Sequence, residues 1–271
     1  MQSAVTISLV PEARGGPFVF WDDLVAGCAH AAELGFDAVE LFLTSAEALD
    51  VPKVARLLGV HGLKCAAVGT GAGWVKHKLR LTDPDVAVRQ RAIGFVSEII
   101  DAAGTLGAPA IIGSMQGRWG DSVTREQSLD WLGEALATLA ERAARHGVPL
   151  LYEPLNRYET NLFNRQGEAA TFLCSLRSRN VKLLCDLFHM SIEESSIADT
   201  LRAAGPLVGH VHFADSNRQA IGWGHTAMTP IMAALREINY AGYLSAEVLP
   251  LPDSDSAARQ TMKSFRRWTA A

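Results

Sequence analysis

Eight short apolar runs, each followed by a longer stretch of helical periodicity, recur from one end of this 271-residue chain to the other. They occupy residues 4–9, 38–43, 64–68, 109–112, 149–153, 181–186, 208–213 and 243–248. Strand and helix alternating in this way make parallel strands with helices laid outside them. In AAELGFDAVEL, RLLGVHGLKCAAV, AAGTLGAPAII and RAARHGVPLLY the glycines Gly35, Gly62, Gly107 and Gly147 each stop a helix and release the chain into the next strand. Asp83-Pro84 predicts a helix start, with the aspartate as cap and the proline in the first turn. An open doubly wound sheet would also alternate, but no GxGxxG stands at the first strand-to-helix turn. Eight units favour closure, so residues 1–271 are expected to form a single (β/α)8 TIM barrel.

The whole chain can contribute to such a core, because 48% of it is hydrophobic, 20% is charged, and no long Pro/Ser-rich or single-sign stretch interrupts it. A net charge of −4 offers no general attraction to nucleic acid or to an anionic membrane, and neither is expected as a partner. The opening MQSAVTISLVPEARGG has no basic region before its apolar run, and that run is too short to cross a bilayer; a cytoplasmic location is expected. Cys28, Cys65, Cys174 and Cys185 form no CxxC pair and read as small buried hydrophobes.

Chemistry in a closed barrel gathers at the C-terminal ends of the strands. Four consecutive runs end in potential ligands there: Glu153, Asp186, His212 and Glu247. Each carboxylate taken alone is more often a helix cap or an ion-pair partner. Four at equivalent places are harder to read that way, because burying three carboxylates without a cation is costly. Hard oxygen donors plus one nitrogen suit one divalent ion, Mn, Mg or Co, with Zn possible. His210 and His212 face the same way on a strand, and His212 is preferred as the one nearer its end. His210 then reads as an inward core residue, while Glu40, polar in the middle of a strand, has no explanation in the sequence.

The segments EPLNRYETNLFN at 153–164, DLFHMSIEE at 186–194, HFADSNR at 212–218, GWGH at 222–225 and the final SAEV resemble the xylose-isomerase-like barrel superfamily of sugar isomerases and epimerases. DLFHMSIEE is the most specific, and is similar to ketose 3-epimerases of the tagatose and psicose type. The resemblance implies that Glu153, Asp186, His212 and Glu247 hold the metal. It further implies that Glu153 and Glu247 are the catalytic acid/base pair and that Glu159, His189 and Arg218 bind substrate oxygens. The substrate would then be a sugar or keto-sugar, and assembly into a homodimer or homotetramer is open. AP-endonuclease relatives on this barrel use further histidines after the third and fourth strands, which GTGAGWVKHK and GSMQGRWGD do not supply at those places.

A proton beside a carbonyl is too weakly acidic for an unaided carboxylate, so metal and bases belong together, the metal stabilising an enediolate. Proton return to the opposite face of the same carbon gives an epimer, and return to its neighbour gives an aldose–ketose shift. Hydroxypyruvate isomerase, inosose dehydratase or keto-sugar lyase chemistry would need the same groups. A phosphodiesterase and a silent sugar-binding barrel are disfavoured by the missing histidines and by the pair of glutamates respectively. The loop Gly69-Thr70-Gly71-Ala72-Gly73, followed by Lys76, Lys78 and Arg80, could cradle a phosphate through its backbone N–H groups, but no GK[ST] completes a P-loop and a pocket edge is the preferred reading. Trp74 and Trp119 are candidates for an aromatic wall, and Arg157 and Arg165 for ion pairs with Glu159 and Glu168.

Overall fold

The computed structural model describes residues 1–120 and 122–270. Nine strands form one sheet: β1 Gln2–Ser8, β2 Phe20–Trp21, β3 Ala38–Phe42, β4 Lys64–Gly69, β5 Ala110–Ile112, β6 Leu150–Tyr152, β7 Val181–Asp186, β8 Val208–His212 and β9 Tyr243–Ala246. All paired strands are parallel, and β9 returns to β1, which closes β1 and β3 through β9 into an eight-stranded barrel. The extra strand β2 was not anticipated. β9 pairs with β1 only as far as Val5, and Phe20 and Trp21 continue that edge opposite Ile7 and Ser8.

Helices α1 Leu24–Leu34, α2 Val51–His61, α3 Ala72–Val75, α4 Val86–Thr105, α5 Arg125–Ala144, α6 Gln166–Ser175, α7 Leu187–Glu193, α8 Ile197–Ala204, α9 Met228–Glu237 and α10 Ser254–Thr269 fill the connections. The four glycines named above sit at φ of 86°, 66°, 71° and 72°, the left-handed conformation that ends a helix. The expected start at Asp83-Pro84 is displaced. Asp85 caps α4 by accepting from Ala87 N, while Asp83 accepts from Asp85 N and from the Arg80 guanidinium. Asp83, three residues before the helix begins and already committed to Arg80, leaves the cap to Asp85.

Alternate residues on the strands separate two environments. Val5 and Ile7 of β1, Val39 and Leu41 of β3 and Val211 of β8 enter the large core between barrel and helices. Their alternates Thr6, Glu40 and His212 line a cavity at the barrel mouth instead. Parallel register sets these inward residues side by side: Thr6 beside Glu40, Asp186 beside His212, and His212 beside Ser245. Cys28, Cys65 and Cys185 are buried as expected, but Cys174 is exposed at the end of α6, where the apolar face of that helix has turned away. Among the described residues no helix is long and apolar enough to cross a membrane.

Candidate metal centre and active-site pocket

Asp186 is the last residue of β7 and the N-cap of α7. Its Oδ1 accepts from Phe188 N at 2.7 Å and His189 N at 3.3 Å, which leaves Oδ2 to face the barrel axis. His212 ends β8 with Nδ1 turned to the same point, 3.3 Å from Asp186 Oδ2, 3.4 Å from Glu153 Oε1 and 3.5 Å from Glu247 Oε2. Glu153 and Glu247 each stand one residue beyond their strands, β6 and β9. One donor atom from each of the four residues lies within 4.8 Å of all the others. Glu153 is admitted by Gly113, where a Cβ would come within 2.5 Å of Glu153 Oε2.

The other ring nitrogen of His212 accounts for Glu40. His212 Nε2 donates to Glu40 Oε1 at 3.1 Å, and His210 Nε2 lies 2.8 Å from Glu40 Oε2. Glu40 is only 4% exposed, so its one carboxylate serves both histidines with little competition from water. A histidine whose second nitrogen is fixed by a carboxylate has its free lone pair aimed in one direction. Here that direction is toward Glu153, Asp186 and Glu247.

The electrostatics leave this group short of positive charge. Burial opposes ionisation of Asp186, but His189, His212 and Arg218 outweigh it and hold the carboxyl below its usual range. Burial pushes Glu247 up to about 7, and the charges of Glu153 and Asp186 add to this against the pull of His212 and Arg218. For His212, burial would lower the pKa, yet Glu247 and Glu40 raise it well above the ordinary imidazole value. In effect a proton on Nδ1 stands where three carboxylates require a cation. Glu153 Oε1 is buried and accepts no hydrogen bond among the described residues, an unsatisfied acceptor in the middle of the group. Three carboxylate oxygens, one of them an unsatisfied acceptor, and one imidazole nitrogen fit a divalent ion.

The three expected substrate residues surround this centre. Asn156 donates to His189 Nδ1 from its side chain at 2.7 Å and from its backbone at 3.3 Å, so the proton of a neutral ring resides on Nε2. That Nε2 is buried, has no hydrogen-bond partner, and faces Asp186 Oδ2 at 3.7 Å and Glu153 Oε1 at 3.9 Å. Arg218 lies over the Phe188 ring and donates from Nη2 to Glu247 Oε2 at 2.7 Å. Its Nη1 is 3.4 Å from Glu159 Oε1, which also accepts from Asn156 Nδ2 at 3.0 Å. Asn156 and Glu40 were not assigned roles from sequence. The only available signal for Asn156 was its place inside EPLNRYE.

The centre opens into a cavity of about 530 Å³ bounded by Glu153, Glu247, Arg218 and, farther out, Phe18, Phe42 and Trp74. Gly69, Thr70 and Gly71 form part of its edge, as expected. Trp119 does not line it; its indole donates to Asn161 O at 2.7 Å, and its own backbone N–H donates to Asn161 Oδ1. Arg157 pairs with Glu193 at 2.9 Å rather than with Glu159, because Glu193 on α7 is buried beneath it. Arg165 makes no ion pair with Glu168 among the described residues; it precedes α6 as its N-cap residue.

The family profile described as xylose isomerase-like TIM barrel matches residues 28–268. Over 247 residues the chain is 32% identical to the D-psicose 3-epimerase of Agrobacterium fabrum, covering 87% of this chain and 79% of that protein. It is 30% identical to the L-ribulose 3-epimerase of a Methylomonas species over 243 residues, covering 86% and 83%. A solved structure of L-ribulose 3-epimerase matches with a TM-score of 0.82 at 25% identity, covering 98% of this chain and 94% of that one.

Proposed function

Because the chain belongs to the xylose isomerase-like TIM barrel family, we propose that it is a carbohydrate epimerase of the ketose 3-epimerase kind, dependent on one divalent metal ion. The observation that carries this reading is the set of Glu153, Asp186, His212 and Glu247 donors within 4.8 Å of one another at four successive strand ends. The 3-epimerase names of its relatives at 30% identity and above support this reaction among those such a site could serve. Mn, Mg or Co suits the oxygen-rich donor set, with Zn a further possibility. When bound, such an ion supplies Lewis-acid stabilisation of negative charge on the substrate oxygens beside the reacting carbon.

The protein groups then divide the work. Glu153 and Glu247 enter from β6 and β9, three places apart around the eight-stranded ring, so their carboxylates reach a substrate from different sides. One takes the proton from the carbon beside the carbonyl, and the other gives a proton to the opposite face of that carbon. After a turnover one glutamate has gained a proton and the other has lost one, and exchange with solvent restores both. His189, with an unpaired N–H on Nε2, and Arg218, poised beside Glu247, are positioned to donate to substrate oxygens. Glu159 orients Arg218 and accepts from a hydroxyl. The cavity walls Phe18, Phe42 and Trp74 keep bulk water from the reacting carbon.

Incubation of the Mn-loaded enzyme with a panel of ketoses in deuterated water tests this directly. NMR should show solvent deuterium entering the carbon next to the carbonyl as the epimer forms, and Glu153→Gln and Glu247→Gln should each abolish net conversion. Product formed at low conversion without solvent deuterium would refute the proton-transfer reading.

A further inference from the structure

Resting on that reading of the reaction, we propose that the half of the cavity away from the metal ligands is an anion subsite. The substrate is then a ketose with a phosphate or carboxylate at the end of its chain remote from the reacting carbon. The four ligand residues come from β6 to β9, one half of the barrel ring. The opposite half of the same cavity is lined by Arg14, Arg80 and Arg118, which follow β1, β4 and β5, against one carboxylate from the same loops, Glu12. A sugar held by its carbonyl end at the metal ligands must extend toward these arginines. A cavity of about 530 Å³ leaves room for a substituent there.

One of the three guanidinium groups, that of Arg80, is set in place before any ligand arrives, and the backbone that carries Arg118 is held beside it. The loops carrying Arg80 and Arg118 are tied together by Leu81 N to Met115 O at 2.8 Å and by Thr82 Oγ1 to Gln116 O at 3.0 Å and Arg118 O at 3.4 Å. Gly117 lets these loops touch, since a Cβ there would meet Thr82 Oγ1. Arg80 donates from Nε and Nη2 to Asp83 Oδ2 and rests over the Trp74 ring at 5.4 Å, which leaves Nη1 uncommitted. Arg118 is exposed, and its guanidinium has no hydrogen-bond or ion-pair partner among the described residues. Arg14 pairs with Asp22 across a surface where the two side chains are 60% and 49% exposed, a pairing weak enough to yield to a ligand. Neutral hydroxyls need no such gathering of planar, forked cations, whereas phosphate and carboxylate oxygens match it.

The test takes the Mn-loaded enzyme and its Arg118→Ala and Arg80→Ala/Arg118→Ala variants. Its compounds are a free ketohexose, the ketohexose 6-phosphate, a ketohexose with a terminal carboxylate, and a hexitol 6-phosphate that has no carbonyl and cannot react. For the wild type, kcat/KM for one of the two anionic ketoses should exceed that for the free ketose by about tenfold or more, and this ratio should collapse in the variants. Which anion leads identifies the group. Calorimetry should show the hexitol phosphate binding and losing about tenfold in affinity on Arg118→Ala, a loss that phosphate bound only at the metal would not show. Equal or better use of the free ketose, with a ratio indifferent to the substitutions, overturns the subsite and leaves the epimerase reading intact. If no ketose exchanges its proton while hexitol phosphate binding still depends on Arg118, the reaction reading falls and the subsite stands. If binding is also indifferent to Arg118, both fall.

Discussion

Glu40→Gln separates the chemistry of metal binding from the residues proposed to touch the metal. The substitution is nearly isosteric and sits at 4% exposure, so it changes charge and hydrogen bonding with little change of volume. In the native site one carboxylate accepts from His212 Nε2 at 3.1 Å and faces His210 Nε2 at 2.8 Å. An amide can offer its oxygen to only one of these rings and presents N–H donors to the other. If His212 loses the oxygen, its ring turns or, when neutral, keeps its proton on Nδ1, the nitrogen that faces the three carboxylates. A charge-assisted hydrogen bond contributes about 1.5–3 kcal/mol. At 1.4 kcal/mol per decade that corresponds to about one to two orders of magnitude in affinity, the usual cost of losing such a partner behind a metal ligand. Titration calorimetry with Mn²⁺ on folded Glu40→Gln should therefore show dissociation about 10–100-fold weaker than wild type. Far-UV circular dichroism should show the barrel retained. An unchanged Mn²⁺ affinity would refute the claim that Glu40 aims His212.

Asp186→Ala should abolish the metal-induced rise in the thermal midpoint; for wild type, cation at about 100 times its Kd should add about 2.7 kcal/mol, and a variant that still shows the full rise would remove Asp186 from the ligand set. Only Cys174 of the four cysteines should react with a thiol reagent in the native protein at pH 8, because burial pushes Cys28 up to about 11 and Cys65 up to about 12 and raises Cys185 further. More than one fast-reacting thiol would count against this. Glu193 is buried, which would raise its pKa, but its hydrogen bonds from Arg157 prevail and lower it. A depressed folded pKa contributes stability that is present above the unfolded value near 4.5 and is lost as pH falls through the folded value. Glu193→Gln should accordingly be less stable than wild type in urea at pH 7, with the difference closing toward pH 3; an equal difference at both would refute it.

The parts of this site that could be read in advance are those written in one stretch of chain. A ligand at a strand end is local, and Glu153, Asp186, His212 and Glu247 stand where the strand pattern placed them. Glu40 could not be read because its partners lie 170 and 172 residues away, and only the register that closes the barrel brings them to it. Arg80 was marked by the glycine loop before it, but Arg14 and Arg118 come from loops with no periodicity to mark them, and contacts such as Thr82 to Gln116 bring the Arg118 loop beside that of Arg80. Strand β2 has two residues, too few for any alternation to register. Asp186 shows a different kind of limit. By its place it could be a helix cap or a metal ligand, and in sequence these two readings compete. The structure gives its two oxygens to different tasks: Oδ1 accepts the first N–H groups of α7, and Oδ2 faces His212. The cap is what holds Oδ2 at the candidate metal centre, because a carboxylate fixed at one oxygen by a helix N-terminus has no rotation left by which to turn the other away.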